Sequence, residues 1–136
     1  MGPMSNTADQ LNANPLPLAK HLGIHFVSAE PDAVVAELEI TEDLCTSGNI
    51  MHGGTAMALA DTVGAVATFL NLPEGAGGTT TVESKTNFLA ACPAGQKVTA
   101  TSTPVHRGRR TQMWQTRIER ADGKLVALTS QTQMIL

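Results

Sequence analysis

The stretch HGGTAMALADTVGAVATFL, running from His52 to Leu70, decides how this chain must fold. Ala56, Met57, Ala58, Leu59, Ala60, Val63, Ala65, Val66, Ala67, Phe69 and Leu70 fall on nearly every side of a helical period, so the segment predicts a buried helix, apolar almost all round. Pro73-Glu74-Gly75-Ala76-Gly77-Gly78 ends it with breaker chemistry. A membrane span is the alternative for so apolar a run. Asp61 in its middle, and an available length of only about eighteen residues with several small or polar, argue against that.

Asp61 is the only ionisable residue between His52 and Glu74. An unpaired carboxylate in such company costs free energy or takes up a proton, so its presence asks for a reason. It either caps a neighbouring backbone group, or meets solvent at a helix edge, or is there to react. Two glycines at the helix start let a ligand approach bare backbone, and first-turn N–H groups have no partner within the helix. Those groups and the helix dipole favour a developing negative charge, and the Gly53 N–H is the candidate oxyanion donor. His52 is open to two readings, a structural residue that fixes the preceding loop or a direct participant. Gly53 and Asp61 lie about 12 Å apart along a straight helix and about 80° apart around it. They cannot easily grip one carbonyl. A site using both needs the helix start of one subunit beside Asp61 of another, which predicts an obligate dimer with paired sites about a two-fold axis.

Working outward, Gly23 to Ala29 is a short apolar stretch, and Glu30-Pro31-Asp32 is a turn. Val34, Ala36, Leu38 and Ile40 then alternate with Val35, Glu37 and Glu39, so the whole reads as a two-stranded hairpin. Thr41 to Met51 reads as a loop. Beyond the helix, β patterns cover Thr79 to Leu89, Lys97 to His106, Thr111 to Arg120 and Leu125 to Leu136. Asp122-Gly123 between the last two is a hairpin signal. Two strands, one helix and four more strands make an α+β fold, an antiparallel sheet wrapped around a long central helix. Residues 1–14 are expected to be a tag remnant at Met1-Gly2-Pro3 followed by a flexible N-terminus, leaving 15–136 as the domain. Pro15 to Leu22 predicts a short lid or packing helix.

A chain of 136 residues fits one domain, and its formal net charge of -3 argues against a nucleic-acid partner. The only dense basic run is His106-Arg107-Gly108-Arg109-Arg110, enough for one small anion and too little for a duplex. Cys45 and Cys92 lack the spacing of a disulfide framework or a zinc site, and His21, His25, His52 and His106 lack the spacing of metal ligands. No secretory signal is visible, so a reducing cytoplasm is expected, with no membrane partner.

His52-Gly53-Gly54-Thr55-Ala56-Met57-Ala58-Leu59-Ala60-Asp61 resembles the HGGxxxxLA(D/E) signature of hotdog-fold thioesterases. The branch it looks like holds the phenylacetate-pathway (PaaI-type), 4-hydroxybenzoyl-CoA and 1,4-dihydroxy-2-naphthoyl-CoA thioesterases. Pro104-Val105-His106-Arg107-Gly108-Arg109-Arg110-Thr111-Gln112-Met113-Trp114-Gln115 resembles the PLHxGR…QxW strand pair of the aromatic-acyl members. With matching strand order, the resemblance runs from about Gly23 to the C-terminus. It implies a hotdog fold, hydrolysis of acyl-CoA, no cofactor beyond the coenzyme A of the substrate, and a homodimer that pairs into a tetramer.

The same resemblance implies residue roles. Asp61 would be nucleophile or general base, the Gly53 N–H the oxyanion donor, and His52 the residue beside it. Thr81 would position the water or the carboxylate; as one of three consecutive threonines it also suits a strand on propensity alone. Val82 and Phe88 would line the substrate pocket. His106, Gly108, Arg109 and Arg110 would hold the CoA nucleotide, which agrees with the fit of arginine forks to phosphate, although a solvated charged turn has the same composition. Two departures stand out. Thr46 occupies a position where relatives carry Asn or Gln, with Asn49 nearby, and an apolar Phe88 stands where they tend to have a polar aromatic, which suits a greasier acyl group. A hotdog hydratase or dehydratase and a non-catalytic acyl-CoA binding module draw on the same ingredients.

Overall fold

The computed structural model describes residues 6–136. Two short helices, α1 (Thr7–Ala13) and α2 (Pro17–Leu22), precede the hairpin β1 (His25–Glu30) and β2 (Ala33–Glu39). A small hairpin, β3 (Cys45–Thr46) and β4 (Ile50–Met51), delivers the chain to α3 (Gly53–Phe69). Strands β5 (Thr79–Phe88), β6 (Lys97–Arg107), β7 (Thr111–Arg120) and β8 (Leu125–Ile135) follow. The six long strands form one sheet in the order β1-β2-β6-β7-β8-β5, and every neighbouring pair is antiparallel.

This order is the α+β arrangement expected, a sheet curled around one central helix. Alternation decides which face packs. Val34, Ala36 and Leu38 of β2 are buried, as are Gln112, Trp114, Thr116 and Ile118 of β7, while the residues between them look outward or sit half-covered. Leu59 and Val63 of α3 are fully buried. Polar residues inside the helix are satisfied locally: the Thr62 hydroxyl donates to the Ala58 carbonyl at 2.8 Å and the Thr68 hydroxyl to the Gly64 carbonyl at 2.9 Å. No helix among the described residues is long and apolar enough to cross a membrane.

Three expectations need correction. Helix α3 is not covered all round, because Gly54, Met57, Asp61 and Phe69 form an exposed stripe with Ala58, Thr62 and Ala65 half-covered beside it. Apolar composition on every side could not say which side the same chain would cover. Residues 7–13 are helix and not flexible chain. Asn6 caps α1 by accepting the Asp9 N–H at 2.8 Å, and Ala8 is buried. Asn12 then clamps the backbone of Phe26 through both ends of its amide, each at 2.8 Å. The polarity that reads as a loose tail is spent on capping and anchoring. The third correction is the loop after Ile40, which contains a 3-10 turn, Glu42–Leu44, and the β3-β4 hairpin. The proposed tag remnant at Met1 to Pro3 falls outside the described residues.

Edge strand β5 carries a β-bulge. Thr81 pairs with Gln133 and Glu83 with Thr132, so Val82 is the extra residue. Thr79 and Thr81 before it, and Ser84 and Thr86 after it, consequently share the face toward α3. A regular strand would have turned Glu83 inward instead.

Candidate active site

At the helix start, His52 is the N-cap. Its Nδ1 accepts the Gly54 N–H at 2.7 Å, and its carbonyl accepts the Thr55 N–H at 2.9 Å. An accepting Nδ1 carries no proton, so the proton of the exposed ring sits on Nε2. Leu44 holds this corner, because its carbonyl accepts both the His52 N–H and the Thr55 hydroxyl at 2.9 Å. With Gly54 and Thr55 thus committed, the Gly53 N–H has no hydrogen-bond partner among the described residues. Phe88 lies against it: a Cβ on Gly53 would stand 3.1 Å from the ring.

Two turns along, Asp61 projects from the open stripe of α3. Its Oδ1 accepts the Thr81 hydroxyl at 3.0 Å, from the inward-facing position just before the Val82 bulge. Val82 itself is about half exposed beside them, at 52%. Asp61 is therefore not the buried carboxylate that the surrounding residues suggest; it is exposed in the single chain and pinned by one oxygen.

The basic run occupies the β6-β7 corner. A second bulge, at Val105, precedes His106, and a cleft of about 640 Å³ is lined by His106, Gly108, Arg109, Arg110 and Thr111. Gly108 is obligatory there, because a Cβ would fall 2.6 Å from His106 Nε2 and 2.9 Å from the Thr111 carbonyl. Arg107 points elsewhere. It pairs with Asp32 at 2.8 Å and reaches the Pro31 carbonyl and Asn71 Oδ1, tying the β1-β2 turn to the end of α3. Arg109 and Arg110 form no ion pair among the described residues.

Thr46 and Asn49 sit on the β3-β4 hairpin. Asn49 is the one non-glycine residue at positive φ among the described residues, at 57°, and its carbonyl accepts the Ala94 N–H at 3.0 Å. Its backbone thus has a turn-forming task of its own. No hydrogen bond joins either side chain to Gly53 or Asp61.

The structure therefore sorts the expected residues into three groups: His52, Gly53 and Phe88 at the helix start, Asp61, Thr81 and Val82 at its middle, and the His106 to Arg110 corner. Sequence reasoning missed Gln133, which is fully buried and donates to the Thr81 hydroxyl at 2.6 Å. Its signal was parity, since Gln131 and Gln133 alternate on the inward face of β8. The shifted titrations lie elsewhere. Burial pushes the Cys92 thiol up, opposed by nearby Arg120. The Arg120 guanidinium, together with the Lys124 N–H, holds Asp122 below the usual carboxylate range at the last hairpin.

A sheet wrapped on a helix whose N-terminus offers a bare N–H, with an anchored carboxylate farther along, defines a hotdog-fold protein of the thioesterase kind. The thioesterase superfamily model matches residues 48–127, and the chain belongs to that family. It is 32% identical to a 1,4-dihydroxy-2-naphthoyl-CoA hydrolase of Listeria monocytogenes, across 82% of this chain and 89% of the relative. Among solved structures it is similar to a thioesterase of Haemophilus influenzae, at 29% identity and a TM-score of 0.88, covering 98% of this chain and 92% of the other. The PaaI protein of Escherichia coli, from the phenylacetic acid degradation operon, matches at 25% identity and a TM-score of 0.84, over 95% and 91% of the two chains.

Proposed function

We propose that this chain hydrolyses acyl-CoA thioesters to free acid and coenzyme A at sites built between two copies of the chain. One observation carries the reading: at the helix start the Gly53 N–H is left unpaired by the His52 cap, while Asp61 is anchored through Oδ1 alone. The first can receive the developing oxyanion of a thioester, and the second leaves Oδ2 for chemistry.

The two groups lie about 12 Å apart along one helix, so one copy supplies Gly53 and the other Asp61. Exposed apolar side chains support such a pairing. Met57 and Phe69 on the open stripe of α3, with Val82 and Phe88 on edge strand β5, form a surface for a second copy to cover. Arg109 and Arg110, free of ion pairs among the described residues, suit the phosphates of the CoA nucleotide.

In the reaction, the thioester carbonyl rests on the Gly53 N–H. Either Asp61 attacks the carbonyl carbon, expelling the CoA thiolate and leaving an anhydride that water cleaves, or Asp61 takes a proton from water as that water attacks. Both routes consume one water and release the acid and the thiol. Asp61→Asn with a thiol-release assay over aromatic and aliphatic acyl-CoAs tests the proposal. A fall in kcat of at least about hundredfold in a folded variant is expected; near-normal turnover sinks the assignment. A single turnover in heavy-oxygen water separates the routes, since label enters Asp61 only through the anhydride.

A further inference from the structure

We infer that Gln133 is a positioning residue that fixes the direction of the hydrogen bond reaching Asp61. The inference rests on the reading of Asp61 as the reacting carboxylate. Gln133 lies on β8 directly across the ladder from Thr81, at the Val82 bulge, and is fully buried. Its Nε2 donates to Thr81 Oγ1 at 2.6 Å, and Thr81 Oγ1 donates to Asp61 Oδ1 at 3.0 Å. At the other end of the amide, Thr79 Oγ1 stands 3.0 Å from Gln133 Oε1 and 2.9 Å from the Met134 carbonyl, and its one proton serves both.

A threonine hydroxyl has one proton and turns freely about its C–O bond. With an amide N–H already directed at its oxygen, the proton of Thr81 must point away from Gln133, and the acceptor available on that side is Asp61. Turning the amide over would set Oε1 against the oxygen of Thr81 while that hydroxyl is still given to Asp61, an acceptor facing an acceptor at short range. An ionised Asp61 therefore selects a single sense for the chain, from Thr79 through Gln133 and Thr81 to Asp61. The neighbouring buried glutamine is not a substitute. Gln112 donates to the Asn71 carbonyl and accepts from the Trp114 indole, both at 2.8 Å.

The consequence falls on the carboxylate. The last torsion of aspartate is broad, and Asp61 is exposed in the single chain with Thr81 as its one hydrogen-bond partner among the described residues. Held through Oδ1, it presents Oδ2 in one orientation. Without Gln133, the Thr81 hydroxyl is free to rotate and the carboxylate with it.

Release of thiol from benzoyl-CoA and hexanoyl-CoA, followed for the better substrate, tests this with Gln133→Met, Thr79→Val, Thr81→Val, Thr81→Ser and the pair Gln133→Met/Thr81→Val. Gln133→Met is expected to lower kcat about tenfold with KM unchanged, in the range that misplacement of a reacting group costs. The pair should be no slower than Thr81→Val alone, and Thr81→Ser should recover most of the kcat that Thr81→Val loses because the hydroxyl is kept. Thr79→Val, at the far end of the chain and half-buried, should show a smaller fall in kcat with the same KM. It carries the test if Gln133→Met does not fold. Wild-type kcat in the folded Gln133→Met variant, or in Thr79→Val where that variant does not fold, overturns the inference. So does a pair slower than Thr81→Val by the full effect of Gln133→Met. Asp61→Asn measured alongside keeps the two claims apart: if it is active, the reading of Asp61 fails, and if it is inactive while Gln133→Met is normal, only the role of Gln133 fails.

Discussion

Gly64 and Gln131 share one space: a Cβ built on Gly64 would stand 2.1 Å from Gln131 Oε1 and 2.4 Å from its Cδ. Gln131 is buried and neither end of its amide has a hydrogen-bond partner among the described residues, so the methyl would have to displace a side chain within packed surroundings. Overpacking of this kind costs about 1–3 kcal/mol, against about 1 kcal/mol of helix propensity gained by Gly→Ala. Gly64→Ala alone should therefore lower the stability measured by denaturant unfolding, by about 1 kcal/mol net. In a Gln131→Ala background the same change should raise it, and the reversal of sign is the measurement that matters.

Gly53→Pro removes the proposed oxyanion donor while respecting the backbone. Proline is well suited to the first helical position, and His52 before it already has the extended φ -66° and ψ 139° that a proline requires of its predecessor. The variant should fold, with the Phe88 ring giving slightly, and lose about a hundredfold or more in kcat. A stable variant with wild-type turnover would remove Gly53 from the mechanism.

Subunit sharing has a direct readout in mixtures. Gly53→Pro and Asp61→Asn, each inactive alone, place one undamaged site in every mixed dimer if the site takes Gly53 from one copy and Asp61 from the other. Refolded together in equal amounts, they should recover about a quarter of wild-type activity for random pairing. Recovery of none places both groups in one chain.

His52 was open to two readings from sequence, and its cap makes them separable. His52→Ala should cost about 1 kcal/mol of stability, the usual value of a lost N-cap. His52→Asn restores an acceptor to that position and should return the stability in a thermal melt. If capping is the whole task of His52, kcat returns with it; a rate that stays low assigns work to the Nε2–H.

The basic corner should divide by function. Arg107→Ala should weaken the fold by about 1 kcal/mol or less, since its ion pair is exposed but it also ties two backbone segments, and leave KM unchanged. Arg109→Ala and Arg110→Ala should leave stability alone and raise KM for acyl-CoA about tenfold, with little effect on acyl-pantetheine, which lacks the nucleotide. Equal effects on both substrates would place the nucleotide elsewhere.

Much of this was legible in the residues. Alternation at Val34, Ala36, Leu38 and Ile40 defines an inward face that the structure keeps, and Asp61 among alanines and valines singles out the position that meets the Thr81 hydroxyl. Other features depend on information that local sequence does not hold. Whether the Met57 and Phe69 side of α3 is covered by its own sheet is a question of how far that sheet curls. Asn12 acts through a partner that only folding brings near, the backbone of Phe26. The run Thr79-Thr80-Thr81 offers no apolar parity from which to read the inward face of β5, so the Gln133 hydrogen bond to Thr81 stayed hidden, while the family resemblance alone set Thr81 beside the carboxylate.

The bulge at Val82 also bears on chain length. Because Val82 has no partner across the ladder, β5 holds one residue more than its pairing with β8 uses. Deleting Val82 would keep Thr79, Thr81, Ser84 and Thr86 on the inward side of a straighter strand. Inserting a residue there would widen the bulge, turn Glu83 and Lys85 toward the helix, or slide the rest of β5 two places along β8. Strand β5 is thus tolerant of shortening at this one point and intolerant of lengthening, an asymmetry set by backbone pairing and not by what the Val82 side chain touches.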